Sequence, residues 1–513
     1  MFFKKDERLK VLGIWPKIPI TYWSLTYALK FISLPLIRPK KAAIPPIGLA
    51  TVAAMFPRDR YQVKIVDMNI DNLTRLIIGE ADLVIISGML IQKESFTEVV
   101  SEAKKLGKKV IAGGPYVMSS HQEILNVDTF ILGEAEVNFP PFLEDFNNGR
   151  ILKKYYNDPA LADMTKSPLP RFDLLNLSKY GSAALQISRG CPYPCEFCDV
   201  IEMFGNEMRM KTSQQVIAEL NALYDLGWRG AVFIVDDNLI GHKSKIKKLL
   251  AIIANWQTAR GYPFDFFTEA SINMATDDEL LKLMALAGIN MVFIGIETPE
   301  EKTLISMGKT QNLKMDILES IWKIQSYGIE VSGGFIVGSD SDSSNIFQQQ
   351  IEFIQNSGIV MAMVGLLQAL PNTKLWKRLK NEGRLLPSCA SGNNTQLGLN
   401  FTPIMDPKVL VNGYKEILAN IYEPKKYFER CRTFLERVNP HQNSVRKVRL
   451  EEIYSFVTSL LRQGNPGSSY WQYYLKYLKD AISINPKLFP EAVRQAIMGH
   501  HFFKVTKQII SSG

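Results

Sequence analysis

The sequence predicts an α/β protein in three parts: an N-terminal Rossmann-like, doubly wound parallel sheet, a central partial (β/α)6 barrel and a mainly α-helical C-terminal domain. Short apolar runs alternate with amphipathic helical patterns in two series, and such alternation is typical of parallel sheets. Three of the five cysteines lie in one loop that opens the second series. The 513 residues suffice for about three domains. The predicted boundaries are residues 1–150, a linker at 151–182, a barrel at 183–374 and a helical domain at 375–513.

Composition narrows the class of protein. The chain is 46% hydrophobic and 22% charged, which is typical of a folded globular protein. Few cysteines and no targeting pattern predict a reducing cytoplasmic location, with Cys389 and Cys431 as packed thiols. The net charge of +9 favours an anionic partner, such as nucleic acid, a lipid surface or a phosphorylated substrate.

The N-terminal region places glycines and polar residues where predicted strands end. Ligands of parallel sheets bind beyond these carboxyl ends, and no G-x-G-x-x-G is present, which disfavours a dinucleotide. The strand ends are Trp15-Pro16, Asp67-Met68, Ser87-Gly88-Met89, Gly113-Gly114-Pro115 and Gly133-Glu134. The apolar stretch Ile18 to Ile37 predicts a packed helix or a cover over a ligand, with contact at a membrane surface as the alternative.

The cysteine loop has the spacing C-x3-C-x2-C, formed by Cys191, Cys195 and Cys198. Three thiolates can hold a four-iron cluster and leave one iron open for a substrate or cofactor. The alternatives are a structural zinc knuckle and a chance cluster. Zinc usually recruits a fourth Cys or His nearby, and no His lies between His121 and His242. The spacing therefore favours an iron–sulfur cluster.

Six strand–helix units follow the linker, three-quarters of an eight-unit barrel. Catalytic groups are expected at strand ends, where the sequence places Asp236-Asp237-Asn238, Glu269, Ser271, Glu297 and the run Gly334 to Gly338. Helix N-capping is the alternative for the acids, and it fits Asp277 and Asp278 best. From about Leu375 the pattern is helical, basic and rich in aromatic residues. This tail is predicted to close the barrel mouth and shape a substrate pocket; nucleic-acid binding is possible there but has no supporting motif.

The N-terminal pattern resembles the cobalamin-binding domain that precedes many radical SAM enzymes. The resemblance rests on Pro45-Pro46-Ile47-Gly48-Leu49, Val66-Asp67, Gly113-Gly114-Pro115 and Gly133-Glu134-Ala135-Glu136. It implies a corrin over the strand ends, bound by Trp15, Pro16, Ser87, Gly88, Met89, Gln92, Gly113, Gly114, Pro115, Gly133 and Glu134. The D-x-H-x-x-G signature is absent, so no protein histidine is assured for cobalt. Met89, Leu90 and Gln92 are the nearest candidates on that face.

The cysteine loop and the strands after it resemble the radical SAM core. The resemblance implies a 4Fe-4S cluster on Cys191, Cys195 and Cys198, with S-adenosyl-L-methionine (SAM) on the open iron. The implied SAM contacts are Phe197, Asp236, Asp237, Asn238, Glu269, Ser271, Glu297, Gly334, Ile336 and Gly338. Asp236-Asp237-Asn238 departs from the family's glycine-glycine-glutamate turn. The three-part layout is similar to the subgroup that borders on hopanoid and bacteriochlorophyll methylases.

This resemblance implies a cobalamin-dependent methyltransferase acting on an unactivated carbon through a 5′-deoxyadenosyl radical and methylcobalamin. The alternatives are a cobalamin-dependent oxidation or cyclisation, RNA modification of the methylthiotransferase kind, and a non-catalytic sensor. The absence of any cysteine before Cys191 argues against the RNA-modifying layout. The expected partners are a small molecule such as a lipid or tetrapyrrole and an electron donor such as flavodoxin or ferredoxin. Nucleic acid is not expected as a partner. The protein is expected in the cytoplasm, with peripheral contact with a membrane as an option.

Overall fold

The computed structural model describes residues 8–32, 40–387, 390–393, 395–439 and 450–512. Two parallel sheets of six strands each form the centre of the molecule, so the predicted fold class is confirmed. The predicted packed thiol Cys431 is buried, whereas Cys389 lies outside the described residues. None of the helices in the described residues combines the length and the hydropathy that crossing a lipid bilayer requires.

The N-terminal sheet has the strand order β2-β1-β3-β4-β5-β6, and its strands are parallel throughout. Apolar clusters cover both faces, as expected for a doubly wound sheet. The strands are β1 (Leu9–Trp15), β2 (Tyr61–Asp67), β3 (Leu83–Ser87), β4 (Lys109–Gly113), β5 (Thr129–Ile131) and β6 (Tyr155–Tyr156). The helices of this part are α1 (Thr26–Ile32), α2 (Ile47–Ala54), α3 (Arg75–Gly79), α4 (Lys93–Lys105), α5 (Pro115–Ser120) and α6 (Ala135–Asn147).

The sheet extends further along the chain than the sequence indicates. Strand β6 lies in the segment predicted to be a linker, and its residues pair with Phe130 and Ile131 of β5. Two residues are too short for a periodic pattern, which is why this strand gives no sequence signal. Residues 157–182 then connect the two sheets.

The second sheet has the order β7-β10-β11-β12-β13-β14 and is also parallel, so it forms the expected partial barrel. Its strands are β7 (Ala183–Leu185), β10 (Gly230–Ile234), β11 (Phe264–Glu269), β12 (Ile289–Glu297), β13 (Glu330–Val337) and β14 (Ala362–Leu366). A small antiparallel pair, β8 (Ser188–Arg189) and β9 (Arg209–Met210), flanks the cysteine loop. The helices are α7 (Val200–Phe204), α8 (Ser213–Asp225), α9 (Lys243–Thr258), α10 (Asp278–Leu286), α11 (Glu301–Ser306), α12 (Ile317–Ser326) and α13 (Ile346–Ser357).

The C-terminal part is helical, as predicted, and contacts both ends of the barrel. Helix α14 packs on the cysteine loop, because Arg378 donates to Glu196 over 2.6 Å. Arg494 of α19 pairs instead with Glu330, at the start of β13. The predicted closure of the barrel mouth therefore concerns α14 rather than the whole tail. The helices are α14 (Lys374–Asn381), α15 (Pro407–Ile421), α16 (Pro424–Arg437), α17 (Leu450–Gln463), α18 (Trp471–Ile484) and α19 (Phe489–Ser511).

The apolar stretch that begins at Ile18 packs inside the protein as far as it is described. Tyr22 and Phe31 are fully buried, and Tyr22 stacks on Tyr422 with ring centroids 5.6 Å apart. His501 of α19 lies 3.0 Å from the carbonyl oxygen of Thr21. The prediction of a packed helix is thus met by α1, whereas residues 33–37 lie outside the described residues.

Candidate functional site

The cysteine loop lies at the carboxyl ends of the barrel strands. Polar side chains surround its thiols: the Asn238 amide nitrogen is 3.9 Å from Cys191 Sγ and that of Gln311 is 3.8 Å from Cys195 Sγ. Burial raises the pKa of the Cys191 and Cys198 thiols above the usual value. At Cys191, hydrogen bonds from the backbone of Tyr193 and from Asn238 oppose this rise in pKa.

Asp236 and Asp237 attach the turn after β10 to the chain that enters the cysteine loop. Asp236 accepts hydrogen bonds from the backbone N–H of Ile187 (2.7 Å) and the hydroxyl of Ser188 (2.5 Å). Asp237 accepts one from Gly190, beside the first cysteine. Burial raises the pKa of Asp236 to about 7 and that of Asp237 to about 6. These acids therefore position the loop, and their role is not the helix capping that Asp277 performs for α10.

A chain of hydrogen bonds links the end of β11 to the cysteine loop. The Asn238 amide contacts the Ser271 hydroxyl at 3.2 Å, and Ser271 donates to Asn273 at 2.8 Å. Asn273 in turn donates to the hydroxyl of Tyr193 over 2.7 Å. Asn238 and Ser271, both predicted site residues, thus meet in one network that Asn273 extends to the loop.

Glu269 and Glu297 lie at the ends of the neighbouring strands β11 and β12, and their surroundings differ in charge. Burial, and then the charge of Asp237, raises the pKa of Glu269 to about 8. Glu297 instead pairs with Lys309 at 2.7 Å, and Lys309 lies 5.9 Å from the ring centre of Phe197. The charge of Lys309 also acts on Cys195 and Cys198. One acid is therefore neutral near pH 7, while the other balances a buried cation.

A cavity of about 290 Å³ opens beside the cysteine loop. Phe197 and Leu367 form its apolar wall, and Arg378 lies on its polar side. Ile336 belongs to the same apolar cluster as Phe197, so the structure brings these two predicted SAM contacts together. Gly334 and Gly338 lie two residues before and after Ile336. The next residue along the chain, Ser339, lines the cavity.

The N-terminal sheet presents glycines at its carboxyl edge. Gly88, Gly113, Gly114 and Gly133 follow or end β3, β4 and β5, so a flat ligand could approach the backbone closely. Gly114 has φ 90°, and a Cβ there would collide with the Ser87 hydroxyl. The edge also carries Trp15, Pro16, Ser87, Met89 and Pro115, of which Met89 is 39% exposed. His121 packs instead against the rings of Phe130 and Tyr155.

Two predicted cobalamin contacts have side chains that already bond within the protein. Gln92 is buried; its amide nitrogen donates to the carbonyl oxygen of Pro16, and its amide oxygen accepts from the N–H of Met89. Glu134 is buried between Arg189 and Arg209, each at 2.7 Å. The side chains of Gln92 and Glu134 are thus used within the protein. A ligand at this edge would contact the backbone and the neighbouring residues there.

Arg189 joins the two predicted cofactor regions. It precedes the cysteine loop, and it pairs with Glu134 and with Glu136, both at 2.7 Å. Although burial opposes ionisation, Arg189 holds the pKa of Glu136 below the usual value. Helix α7, just after Cys198, contacts α5 at the edge of the N-terminal sheet. The glycine edge and the cysteine loop are therefore neighbours.

The residues fit the groups that the pattern implies. Among the described residues, no three Cys, His or acidic side chains approach closely enough to share a single metal ion. The charge of Cys195 acts on both Cys191 and Cys198, so the three thiols lie near one another, and a four-iron cluster takes three thiolates. The amide oxygen of Gln311, beside Cys195, is buried without a hydrogen-bond partner. At the other sheet, Gly113, Gly114 and Gly133 are partly exposed at the strand ends, where a broad, flat ligand can approach the backbone.

Sequence reasoning missed Lys309, Gln311, Asn273 and Tyr193. Tyr193 lies inside the C-x3-C spacing, and Asn273 follows the predicted Ser271 by two residues, so both had a positional signal. Lys309 and Gln311 lie at and within a short 3-10 helix (Thr310–Asn312) after α11, where no sequence motif marks them.

Three family models match successive parts of the chain. Residues 36–143 match the B12 binding domain, residues 185–353 the Radical SAM superfamily, and residues 373–512 a domain of unknown function, DUF4070. The fold is similar to that of the radical S-adenosylmethionine methyltransferase TsrM from Kitasatospora setae, solved with cobalamin and a 4Fe-4S cluster. That match has a TM-score of 0.60 and 13% identity, and it covers 94% of this chain and 99% of the other.

Two relatives share the layout over most of their length. The chain is 36% identical to an uncharacterized methyltransferase of Synechocystis sp., over 97% of this chain and 92% of the relative. It is 34% identical to the hopanoid C-2 methylase of Rhodopseudomonas palustris, over 82% of this chain and 78% of the relative. With its B12-binding and radical SAM domains, the chain therefore belongs to the family of cobalamin-dependent radical SAM methyltransferases, whose cofactors are a 4Fe-4S cluster, SAM and cobalamin.

Proposed function

We propose that this enzyme methylates an unactivated carbon of an apolar small molecule, a lipid in preference to a tetrapyrrole. The observation that carries the proposal is the inner wall of the barrel. Along β10, β11 and β12 the residues alternate between buried positions, which pack under the helices, and partly exposed positions, which face the interior. The partly exposed positions include Phe233, Phe267 and Phe293.

These aromatic side chains form two apolar patches, and Glu269 lies in register with Phe293 of the second patch. The rings of Phe233 and Phe267 stack 4.8 Å apart with their planes at 8°. Trp23, from the N-terminal segment, packs on Phe293 with centroids 5.3 Å apart. An apolar wall with few polar groups fits a hydrocarbon ring system, because such a substrate offers little to hydrogen-bond.

The acid nearest this wall adds little charge. With its pKa raised to about 8, Glu269 is mostly protonated at neutral pH. A neutral carboxyl can donate one hydrogen bond to a substrate hydroxyl or to SAM without burying a charge. The relative in R. palustris, named for its action on a hopanoid, supports a lipid substrate.

The placement of the side chains supports the following assignment of the cofactor contacts. We assign Cys191, Cys195 and Cys198 to the cluster, the cavity beside Phe197 and Ile336 to the adenosyl part of SAM, and the glycine edge to the corrin. When bound, the cluster and SAM supply hydrogen abstraction from carbon, and cobalamin supplies a methyl group. The protein's part is to hold these groups side by side, through Arg189 and the Asp236–Ser188 contact, and to exclude water with α14.

The remaining partners belong to the same proposal. Reduction of a buried cluster needs a low-potential donor, for which a flavodoxin or ferredoxin is suitable. The described cysteines, all free, fit a reducing cytoplasm. A lipid substrate also favours peripheral contact with a membrane, where such a molecule resides.

The experiment uses the anaerobically reconstituted enzyme with SAM, reductant and a lipid extract from cells that lack the protein. Mass spectrometry should find a lipid one methyl group heavier, together with 5′-deoxyadenosine and S-adenosylhomocysteine. Cys198→Ala should abolish all three products. Cys431→Ala is the matched control, because this buried thiol lies in α16 within the main core, and it should retain them.

The product pattern separates the competing functions. Deoxyadenosine without S-adenosylhomocysteine would indicate an oxidation or cyclisation in place of methyl transfer. A methylated polar or tetrapyrrole product, with lipids unchanged, would contradict the lipid assignment alone.

A further inference from the structure

Helix α17 presents apolar side chains to solvent. Leu450, Ile453, Val457, Leu460 and Leu461 are 80%, 50%, 46%, 40% and 68% exposed. At 3.6 residues per turn these five side chains share an arc of about 100° on one face of the helix. An amphipathic helix of a globular protein normally turns such a face to the core, so this face marks an interaction site.

The polar face of α17 is the buried one. Ser455, Ser459 and Gln463 are its buried residues. The hydroxyl of Ser459 bonds to that of Tyr474 over 3.0 Å, and Gln463 donates to Ser459 over 2.9 Å. These contacts fix the rotation of the helix about its axis, so the outward apolar face is a built feature of the fold.

Cations gather at one end of the same helix. Lys30 of α1, Arg462 of α17 and Lys504 of α19 are exposed and converge around His500. Burial, and then the charges of Lys504, Arg462, His501 and Lys30, lowers the pKa of His500 to about 4. Arg462 also lies 5.1 Å from the ring centre of Phe31. Three further cations precede the helix in the sequence, outside the described residues: Arg446, Lys447 and Arg449.

We propose that α17 is the membrane-contacting element and lies along the surface of an anionic bilayer. The five aliphatic side chains enter the boundary between headgroups and acyl chains, while Lys30, Arg462 and Lys504 contact lipid phosphates. A two-fold contact between copies through this face would bring like-charged clusters together, which favours lipid over self-association. The inference rests on the proposed membrane contact and names its surface; it does not depend on the methyl-transfer chemistry.

The test is co-sedimentation of the full chain with vesicles of phosphatidylcholine, pure or mixed with phosphatidylglycerol. The wild type should pellet with the mixed vesicles and be released by salt. Ile453→Ser/Leu461→Ser should lower the partition coefficient by about tenfold or more, because two large aliphatic anchors are lost. Leu76→Ser/Ile404→Ser is the matched control; these aliphatic residues are 72% and 71% exposed elsewhere, and the variant should pellet like the wild type.

The outcomes distinguish the surface from the broader proposal. Equal pelleting of the wild type and the α17 variant would overturn the assignment of α17 and leave membrane contact standing. No pelleting of the wild type with either vesicle would overturn both. A wild-type dimer that the α17 variant abolishes, without vesicle binding, would assign this face to a second copy. The methyl-transfer proposal is tested separately, by measuring product formation with lipid dispersed in detergent, which needs no membrane binding.

Discussion

At the residue scale, the ion pair of Lys309 and Glu297 requires glycine at position 295. A Cβ at Gly295 would collide with the Glu297 carboxylate and lie 2.6 Å from Lys309 Nζ. Glu297 also takes φ 66°, a conformation rare for a residue with a side chain. Strain of this kind persists where the surroundings hold it, and it is common at functional sites. The pair faces the cysteine thiols, so its charge balance bears on the cluster.

Lys309→Met should destabilise the barrel by about 3–5 kcal/mol, because it leaves the Glu297 carboxylate buried without a partner. The double variant Lys309→Met/Glu297→Leu should recover most of the loss, since no charge is then stranded. Urea unfolding followed by tryptophan fluorescence measures both. Lys323→Met, which removes a half-exposed partner of Asp278, is the control and should change little. A double variant no more stable than the single one would show that the charge is not the cause.

The titration of Glu269 predicts how stability varies with pH. Its pKa rises from 4.5 to about 8 on folding, so the folded state binds the proton more tightly than the unfolded state. Stability from this group is complete below about pH 4.5 and is lost as pH rises through about 8. The raised pKa values of Asp236, about 7, and Asp237, about 6, also make stability fall as pH rises, but over a lower pH range.

The ligand-free wild type should therefore melt at lower temperature at pH 8 than at pH 5.5, and Glu269→Gln should reduce that difference. Thermal melts at the two pH values measure it. Glu279→Gln, at an exposed carboxylate, should keep the wild-type pH dependence. Identical pH dependence in the wild type and Glu269→Gln would contradict the raised pKa.

At the element scale, the entry to the cysteine loop is also the junction between the two sheets. Strand β8 carries Arg189, and the start of α6 carries Glu136, so one ion-pair network fixes both segments. Arg189→Met should leave Glu136 buried without a cationic partner and cost about 3–5 kcal/mol, whereas Glu134 keeps its pair with Arg209. The two sheets should then loosen relative to each other, and limited proteolysis should cut faster within residues 157–182.

The control for this prediction is Arg150→Met, which removes an exposed guanidinium from Glu144 and Asp145. Its cleavage rate should match that of the wild type. Arg189→Lys keeps the charge but loses the bidentate geometry, so an intermediate rate is expected. An unchanged rate in Arg189→Met would show that other contacts hold the sheets together.

The elements that the sequence predicts well are those with a strong local pattern. The long strands and the cysteine loop follow from period and spacing, and they need no tertiary information. The tertiary partners do not follow: Lys309 reaches the thiols through a loop, and Glu134 meets Arg189 across a domain junction. Helix α17 shows most clearly what the sequence pattern cannot predict. Its apolar residues recur at the helical period, but the structure buries the polar face of this helix and exposes the apolar one.

At the scale of the whole molecule, two sheets with separate cores hold the two cofactor regions. The N-terminal clusters of apolar residues are distinct from the barrel core. The tail joins the two halves near the mouth, where Gly392 packs against Leu90 beside the glycine edge. The proposed cluster and corrin sites thus lie on separate sheets, which Arg189 and Glu134 join at their junction.

This arrangement predicts that the two cofactors can be removed separately. Cys191→Ala should lose the iron–sulfur cluster, since two thiolates cannot hold it, but keep cobalamin near the wild-type ratio because the proposed corrin contacts lie on the other sheet. Iron analysis and the visible spectrum of bound cobalamin measure the two contents on the same sample. Cys431→Ala, whose thiol is buried far along the chain in α16, should keep both. Loss of cobalamin together with iron in Cys191→Ala would contradict the division into two sites, and would mean that the loop, through Arg189 and Glu134, builds part of the corrin site itself.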